Sequence, residues 1–186
     1  MAREFHDEHI LETNVSSEAV FDGIILHIEH LTNRLPNGKL AKREVARHIG
    51  AVAVIPVDAE GNVYMVRQFR SPVDCVLLEI PAGKLDFKGE DRLDAAKREL
   101  REETGLVAGE WTHLNDLLTT VGFCDECIGI YMARNLTSGD SEPDEDEFLN
   151  VVKMPLSEAV DMVMRNEIRD SKTVCALLMA ERLLKT

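Results

Sequence analysis

The stretch Gly83-Lys-Leu-Asp-Phe-Lys-Gly-Glu90, followed after seven residues by Arg98-Glu-Leu-Arg-Glu-Glu-Thr-Gly-Leu106, decides how the whole chain is interpreted. Residues 91–104 predict an α-helix. Asp91 is a residue type that caps helix N-termini, and Gly105 stands where a glycine commonly ends a helix. The sequence therefore predicts one helix near the centre of the chain, with a residue that marks its start and a residue that marks its end.

Three carboxylates share one face of this predicted helix. Because an α-helix turns about 100° per residue, Glu99, Glu102 and Glu103 fall within an arc of roughly 100°. The neighbouring face is apolar and consists of Leu93, Ala96 and Leu100. Crowded oxygen ligands beside a core edge suit a hard divalent cation such as Mg²⁺ or Mn²⁺. The alternative is a solvated acidic helix face, which is common in proteins of any function.

The spacing of the fixed residues resembles the Nudix box, which runs Gly, five residues, Glu, seven residues, then Arg-Glu-apolar-x-Glu-Glu-x-Gly-apolar. Every fixed residue is present, but six residues instead of five separate Gly83 from Glu90. The extra residue lies in the turn Asp86 to Gly89, where an insertion is best tolerated. Further segments resemble the ADP-ribose pyrophosphatase branch: Arg43-Glu-Val45, Val66-Arg-Gln-Phe-Arg70, Leu78-Glu-Ile-Pro-Ala-Gly-Lys84, Asp144-Glu-Asp-Glu-Phe148 and Glu167-Ile-Arg-Asp170.

The resemblance implies a mixed α/β (α+β) chain with the Nudix fold, an α/β/α sandwich around a mixed β-sheet. The pattern of the chain agrees, since strand-like runs such as residues 51–57 and 76–80 precede the helix, and further strands and two helices follow it. We expect a short N-terminal β extension over residues 1–48, with a turn at Pro36-Asn37-Gly38, and a Nudix domain over residues 49–186. Relatives of this branch form homodimers that exchange N-terminal strands, so residues 1–48 are the expected dimerisation segment.

The same resemblance assigns the metal site. It implies that Glu99 and Glu103 bind the metal directly, that Glu102 binds it directly or through water, and that the backbone carbonyl of Ala82 joins them. Arg98 is expected to orient these carboxylates through charge-assisted hydrogen bonds, with a plain surface ion pair as the alternative. Glu90 is expected either to accept from its own loop or to lie in the outer metal shell.

Four residues are predicted to bind substrate. Arg43 and Arg70 resemble phosphate-facing arginines, whose guanidinium groups match phosphate geometry, and the alternative for each is an ordinary solvated arginine. Glu79 resembles a glutamate that lies near metal or ribose in relatives. Phe21 stands where relatives place an aromatic ring against the nucleobase, although a core residue is an equally good interpretation.

The acidic loop over residues 137–147 is the expected source of a general base. Because the metal occupies the box glutamates, another carboxylate is needed to take the proton of the attacking water. Relatives place a catalytic glutamate in this loop; Glu147 is the closest match, Glu145 is the second candidate, and Glu102 is the candidate if neither serves. Most carboxylates of such a loop are simply solvated.

The reaction implied is Mg²⁺-dependent hydrolysis of the pyrophosphate of ADP-ribose or a related nucleoside diphosphate sugar, with Mn²⁺ as a possible substitute. The products are a nucleoside monophosphate and a sugar phosphate. Alternatives are a broad or GDP-mannose-type nucleoside diphosphate sugar hydrolase, a nucleoside triphosphate pyrophosphohydrolase, and a non-catalytic nucleotide-binding regulator. The regulator is disfavoured because such domains usually lose box carboxylates that this chain keeps.

Composition limits the remaining possibilities. A net charge of −13 repels nucleic acids and anionic membranes at long range, so neither is an expected partner. No apolar run is long enough for a transmembrane helix, and the N-terminus lacks a signal-like segment, so we expect a cytoplasmic protein. Cys124 and Cys127 form a CxxC pair, but without a second ligand pair nearby we expect reduced thiols and not a zinc site.

Overall fold

The computed structural model describes residues 6–139 and 148–185. The chain divides into two compact units. One holds the residues through His48 together with Thr120–Glu126, and the other holds Ile49–Thr119 and Cys127–Thr186. The second unit contains the predicted helix and all of the box residues.

The N-terminal unit is a three-stranded antiparallel sheet of β1 (Thr13–Asp22), β2 (His27–Arg34) and β3 (Leu40–Arg47), in that order. The predicted turn between the last two strands is present: Gly38 has a φ of 82° and its N–H donates to the Leu35 carbonyl. At the end of β3, the Arg47 guanidinium bonds the Glu29 and Asp125 carboxylates. The expectation of β structure here is confirmed.

In the described part of the larger unit the strands form two sheets. The first is a mixed sheet in the order β7 (Ala82–Lys84), β4 (Ala51–Pro56), β9 (Cys127–Ser138) and β8 (Leu106–Leu118), in which β4 and β9 run parallel. The second is antiparallel, in the order β10 (Leu149–Pro155), β5 (Asn62–Arg70) and β6 (Cys75–Glu79). Among the described residues of this unit, three α-helices accompany the sheets: α1 (Arg92–Thr104), α2 (Leu156–Met164) and α3 (Ser171–Leu184).

Strand β4 explains why helices lie on both faces of the mixed sheet. All six of its residues are buried, and side chains alternate between faces along a strand. Ala51, Ala53 and Ile55 pack in the core that includes residues of α2 and α3, such as Leu177. Val52 and Val54 pack in a second core with Leu100 of α1 and its neighbours. The predicted α/β/α sandwich is confirmed, and α1 forms one of its outer layers.

Most elements lie where the sequence pattern predicts them, but several strand boundaries differ. The pattern predicts strands near residues 63–66, 111–121 and 128–134, whereas β5, β8 and β9 span Asn62–Arg70, Leu106–Leu118 and Cys127–Ser138. Strand β7 was not predicted, because Pro81-Ala-Gly83 indicates only the end of the preceding strand. Among the residues that the structure describes, no helix is long and apolar enough to cross a membrane.

Candidate active site

Helix α1 positions the carboxylates. The Asp91 side chain accepts from the backbone N–H groups of Leu93 and Asp94 at 2.9 and 3.0 Å, which caps the helix as predicted. Leu100 is fully buried, and this orientation carries Glu99 and Glu103 into the interior, with exposed fractions of 7% and 2%. Two buried carboxylates on one helix face are costly unless they are compensated, so this part of α1 is not a solvated acidic surface.

Strand β7 lies directly against these carboxylates. The N–H of Ala82 donates to Glu103 Oε2 at 3.1 Å. A Cβ atom added to Gly83 would lie only 2.2 Å from the Glu99 carboxylate carbon, so only glycine allows the backbone to approach this closely. The predicted metal residues Ala82, Glu99 and Glu103 are therefore brought together by the pairing of β7 with β4 and the packing of α1.

Arg98 supplies positive charge to the same cluster. Its Nη1 donates to Glu99 Oε1 at 2.6 Å and to Glu102 Oε2 at 3.3 Å. Its Nη2 lies 3.5 Å from carboxylate oxygens of both Asp86 and Glu90. Burial by itself lowers the pKa of Arg98, but the surrounding carboxylates, Glu99 first, outweigh it and raise that pKa. Arg98 therefore holds several carboxylates together, more than the single surface ion pair of the alternative interpretation.

The inserted residue before the helix does not remove Glu90 from this cluster. Glu90 Oε2 accepts from the backbone N–H of Asp86 at 2.7 Å, which closes the turn, and Gly89 takes a φ of 93°. The extra residue is thus absorbed in a loop that Glu90 itself stabilises. Of the two expectations for Glu90, the structure supports its acceptance of a loop hydrogen bond.

The residues present fit a divalent metal in their chemistry. Glu99, Glu102, Glu103 and the carbonyl of Ala82 offer only oxygen donors, the type that Mg²⁺ and Mn²⁺ prefer. Over residues 6–139 and 148–185, no three His, Cys, Asp or Glu side chains already surround a common point. In this arrangement Arg98 bonds Glu99 and Glu102, and the Ala82 N–H bonds Glu103.

Arg70 and Glu79 bind each other. The guanidinium donates through Nε and Nη2 to the two carboxylate oxygens of Glu79, both at 2.8 Å, which is a bidentate pair. Burial by itself raises the pKa of Glu79, but the hydrogen bonds from Arg70 and the charge of Lys172 hold it below its ordinary value. The Arg70 side chain is 38% exposed, so part of it remains accessible to solvent.

Sequence reasoning missed Lys172, a residue of the first turn of α3. Its ammonium group bonds Glu79 and also Asp170, the latter at 3.1 Å. One signal was available in the sequence: a basic residue in the first turn of a helix opposes the helix dipole and needs a specific reason to be there. The contact with Glu79 spans 93 residues, so its partner was not readable from local pattern.

The other predicted substrate residues lie in the N-terminal unit. Arg43 bonds the Glu12 carboxylate and donates to the Lys42 carbonyl at 3.0 Å. Phe21 is 56% exposed, so the interpretation as a core residue of the chain is wrong. Glu145 and Glu147 lie outside the described residues, and their proposed role as general base stays a prediction.

The remaining sequence expectation concerns the cysteines. Cys75, Cys124, Cys127 and Cys175 are all free and partly exposed. The side chain of Cys127 lies beside Arg92, which also donates to Asp116 at 2.6 Å.

Comparison with known proteins places this geometry in a family. The model of the NUDIX domain matches residues 47–177. The chain is 41% identical over 168 residues to the ADP-ribose pyrophosphatase of Bacillus subtilis, covering 89% of this chain and 90% of that protein. It is equally similar, with the same coverage, to the methanol dehydrogenase activator of Bacillus methanolicus. A crystal structure of an ADP compounds hydrolase superposes with a TM-score of 0.84 at 26% identity, covering 94% of each chain.

The chain therefore belongs to the Nudix family, and the site on α1 and β7 is its Nudix box.

Proposed function

We propose that this protein hydrolyses the pyrophosphate bond of ADP-ribose or a related nucleoside diphosphate sugar with the help of a divalent metal, Mg²⁺ in the first place and Mn²⁺ as a substitute. The products are a nucleoside monophosphate and a sugar phosphate. Two relatives of similar length support the reaction by their names, the ADP-ribose pyrophosphatase and the ADP compounds hydrolase. The equally similar methanol dehydrogenase activator shows that relatives of this branch also carry other names.

The observation that carries the proposal is the buried carboxylate pair of Glu99 and Glu103 facing the backbone of Ala82 and Gly83. A helix that only needed solubility would expose these carboxylates, and a regulator that only bound nucleotide would not need them. Their burial beside a glycine, with Arg98 as the counter-charge, is the arrangement expected of a cation site.

Glu99, Glu102, Glu103 and the carbonyl of Ala82 would hold the metal. When bound, the metal supplies neutralisation of the diphosphate and activation of the attacking water. Arg98 keeps the carboxylates at their spacing through hydrogen bonds to Glu99 and Glu102. We assign the general base to Glu147, with Glu145 as the second candidate.

Arg70 binds the diphosphate in this proposal. Its Nε and Nη2 are held by Glu79, which fixes the plane of the guanidinium group and leaves its other edge for phosphate oxygens. A pre-oriented guanidinium loses less conformational entropy on binding than a free one. Arg43 and Phe21 belong to the N-terminal unit, and we assign them to phosphate and nucleobase contact respectively.

The test is a substrate panel measured by phosphate release after phosphatase treatment, with Mg²⁺ present or chelated. We expect ADP-ribose to have a much higher kcat/KM than ATP or dGTP, and we expect the activity to disappear in excess chelator. The opposite order of substrates would place the protein among triphosphate hydrolases. Full activity with chelator present would remove the metal from the proposal.

The matched pair of variants for this panel is Glu103→Gln and Glu110→Gln. Glu103 is buried in the cluster, whereas Glu110 is an exposed residue of β8. Glu103→Gln should weaken Mn²⁺ binding and lower the rate by orders of magnitude, while Glu110→Gln should leave both nearly unchanged.

A further inference from the structure

Lys172 carries a buried positive charge, and the proposed reaction assigns it no role. The residue is only 8% exposed, and an ammonium group removed from water is costly unless it is paired. Two carboxylates pair it, Glu79 and Asp170. Because Asp170 is the N-cap of α3 and Glu79 ends β6, Lys172 connects the start of the last helix to the strand that leads into Ala82 and Gly83.

A second connection runs beside it. Thr173 is fully buried, its hydroxyl donates to Asp170 Oδ2 at 2.6 Å, and it accepts from the backbone N–H of Ile80 at 3.0 Å. Asp170 also caps α3 by accepting from the Thr173 N–H at 3.0 Å. The start of α3, and with it the backbone of Lys172, is therefore held against Ile80 independently of the contact between Lys172 and Glu79.

The charges alternate in order from the helix to the site: Asp170, Lys172, Glu79 and Arg70. Glu79 has an exposed fraction of 1%, and its Oε2 receives both Lys172 and Arg70. Arg70 is the partly exposed end of this series. Its pKa is raised first by the hydrogen bonds that it donates to Glu79, and the charge of Glu103 also raises it. These alternating charges thus connect the buried start of α3 to Arg70, which lies near the carboxylates of the candidate metal site.

We propose that Lys172 is a positioning residue for substrate binding: it holds the Glu79 carboxylate in place and thereby fixes the Arg70 guanidinium in the orientation that receives the diphosphate. This role rests on the proposed function for its substrate. Without Lys172, the Glu79 carboxylate loses one of the two cations that hold it, so it no longer fixes the Arg70 guanidinium in the orientation that receives phosphate.

The first test compares Lys172→Met with Lys185→Met. Each removes one lysine charge at an end of α3. Lys172 lies in the first turn, whereas Lys185 is the exposed C-cap residue and pairs only with Glu181 among its described contacts. Lys172→Met should lower kcat/KM for ADP-ribose by ~10–100-fold, mainly through KM, as is typical when a residue that orients a contacting group is lost. Lys185→Met should behave as wild type. An unchanged KM in a folded Lys172→Met would overturn the proposal.

A double-variant cycle separates positioning from general stability. If Lys172 acts through Arg70, then Lys172→Met added to Arg70→Met should cost little further kcat/KM, so the two losses are not additive. If Lys172 only stabilises the fold, the losses multiply, and the proposal is wrong. Lys172→Arg keeps the charge and should recover most of the activity, which provides a readable variant if Lys172→Met does not fold.

A readout independent of catalysis distinguishes this proposal from the proposed function. In ¹⁵N-labelled protein, the Arg70 Nε–H should exchange slowly because Glu79 holds it, and Lys172→Arg should preserve that protection. Loss of protection in Lys172→Met supports the positioning role even if ADP-ribose is not the substrate. Equal protection in wild type and Lys172→Met overturns the positioning role even if wild type hydrolyses ADP-ribose.

Discussion

At position 83 the backbone occupies space that any side chain would need. The Glu99 carboxylate lies against Gly83 so closely that an added Cβ meets it at 2.2–2.3 Å, well inside van der Waals contact. The obstructing atoms are the end of a flexible side chain, so Gly83→Ala should be tolerated by moving Glu99 and not by unfolding. Gly83→Ala should therefore disturb the geometry of the active site and not the stability of the fold.

We predict that Gly83→Ala lowers kcat by ~10²-fold, the cost expected of a misplacement of about 1 Å in a catalytic group. Thermal melting should show a small loss of stability compared with the kinetic effect. Gly122→Ala is the control, because a Cβ there meets nothing within 4 Å. Wild-type kcat in Gly83→Ala would mean that the position of Glu99 does not matter to the reaction.

The general base is predicted to be Glu147. Glu147→Gln should lower kcat by ~10²–10⁴-fold with little change in KM or Mn²⁺ affinity, because a general base contributes by that factor and does not bind the metal. If Glu147→Gln stays active and Glu145→Gln loses activity, the base is Glu145. If both variants retain kcat, the loop does not supply the base, and Glu102 becomes the candidate.

Glu99 and Lys172 show which site residues can be predicted from the sequence and which cannot. Glu99 was readable because its neighbours on the helix face are three and four residues away, and helix geometry alone brings them together. Lys172 was not readable because its carboxylate partner comes from a strand almost a hundred positions earlier. Arg70 and Glu79 were each predicted to meet substrate, but their mutual pairing could not be predicted from local pattern. They lie on neighbouring strands, where the register places Arg70 opposite Cys75 and Glu79 opposite Val66, and only their side chains meet.

At the scale of secondary-structure elements, the carboxylate of Asp58 stabilises the turn between β4 and β5. Asp58 accepts from the backbone N–H of Glu60 at 3.0 Å and of Asn62 at 2.8 Å. It also bonds Lys153 of β10 at 2.7 Å, so it fixes this turn to the neighbouring strand. Burial raises the pKa of Asp58, but these hydrogen bonds outweigh it and lower that pKa from 3.8 to about 2.

This depressed pKa predicts a specific acid sensitivity. A carboxyl group whose pKa is lower in the folded than in the unfolded chain stabilises the fold above its unfolded pKa, and the contribution is lost as the pH falls through the folded value. The free energy of unfolding of wild type should therefore exceed that of Asp58→Asn by a constant amount above about pH 5. The difference should shrink between pH 3.8 and about 2.

Urea unfolding followed by the fluorescence of Trp111, the single tryptophan, measures this difference at each pH. Glu60→Gln is the control, because it changes an exposed carboxylate of the same turn. A difference between wild type and Asp58→Asn that does not change with pH would contradict the assignment.

Sequence pattern predicted elements well where a cap or a stop signal was present and less well elsewhere. Helix α1 was placed correctly because Asp91 and Gly105 mark its ends. The start of β8 was placed about five residues too late, because Leu106–Glu110 shows no clear alternation. Its pairing with the far end of β9, Leu106 opposite Ser138, is a long-range contact that makes those residues a strand.

At the scale of the whole molecule, the N-terminal unit leaves a large apolar surface uncovered. All ten residues of β1 are exposed, and Ile24, in the turn after it, is 99% exposed. Other exposed apolar side chains of this unit are Ile10, Leu11, Val15, Val20, Phe21, Ile25 and Leu26. Apolar patches of this kind on a soluble protein mark interaction surfaces. This supports the expectation that residues 1–48 form a dimerisation segment.

We therefore predict a homodimer, which light scattering at micromolar concentration should show as twice the 20.8 kDa chain mass. Ile24→Glu should weaken it, because a buried unpaired carboxylate at the interface is costly. Met164→Glu, at the exposed end of α2, is the control and should remain dimeric. The monomeric Ile24→Glu should keep the tryptophan fluorescence of wild type, which would show that the chain remains folded. Wild type that runs as a monomer would contradict the prediction, and the exposed β1 surface would then need a different partner.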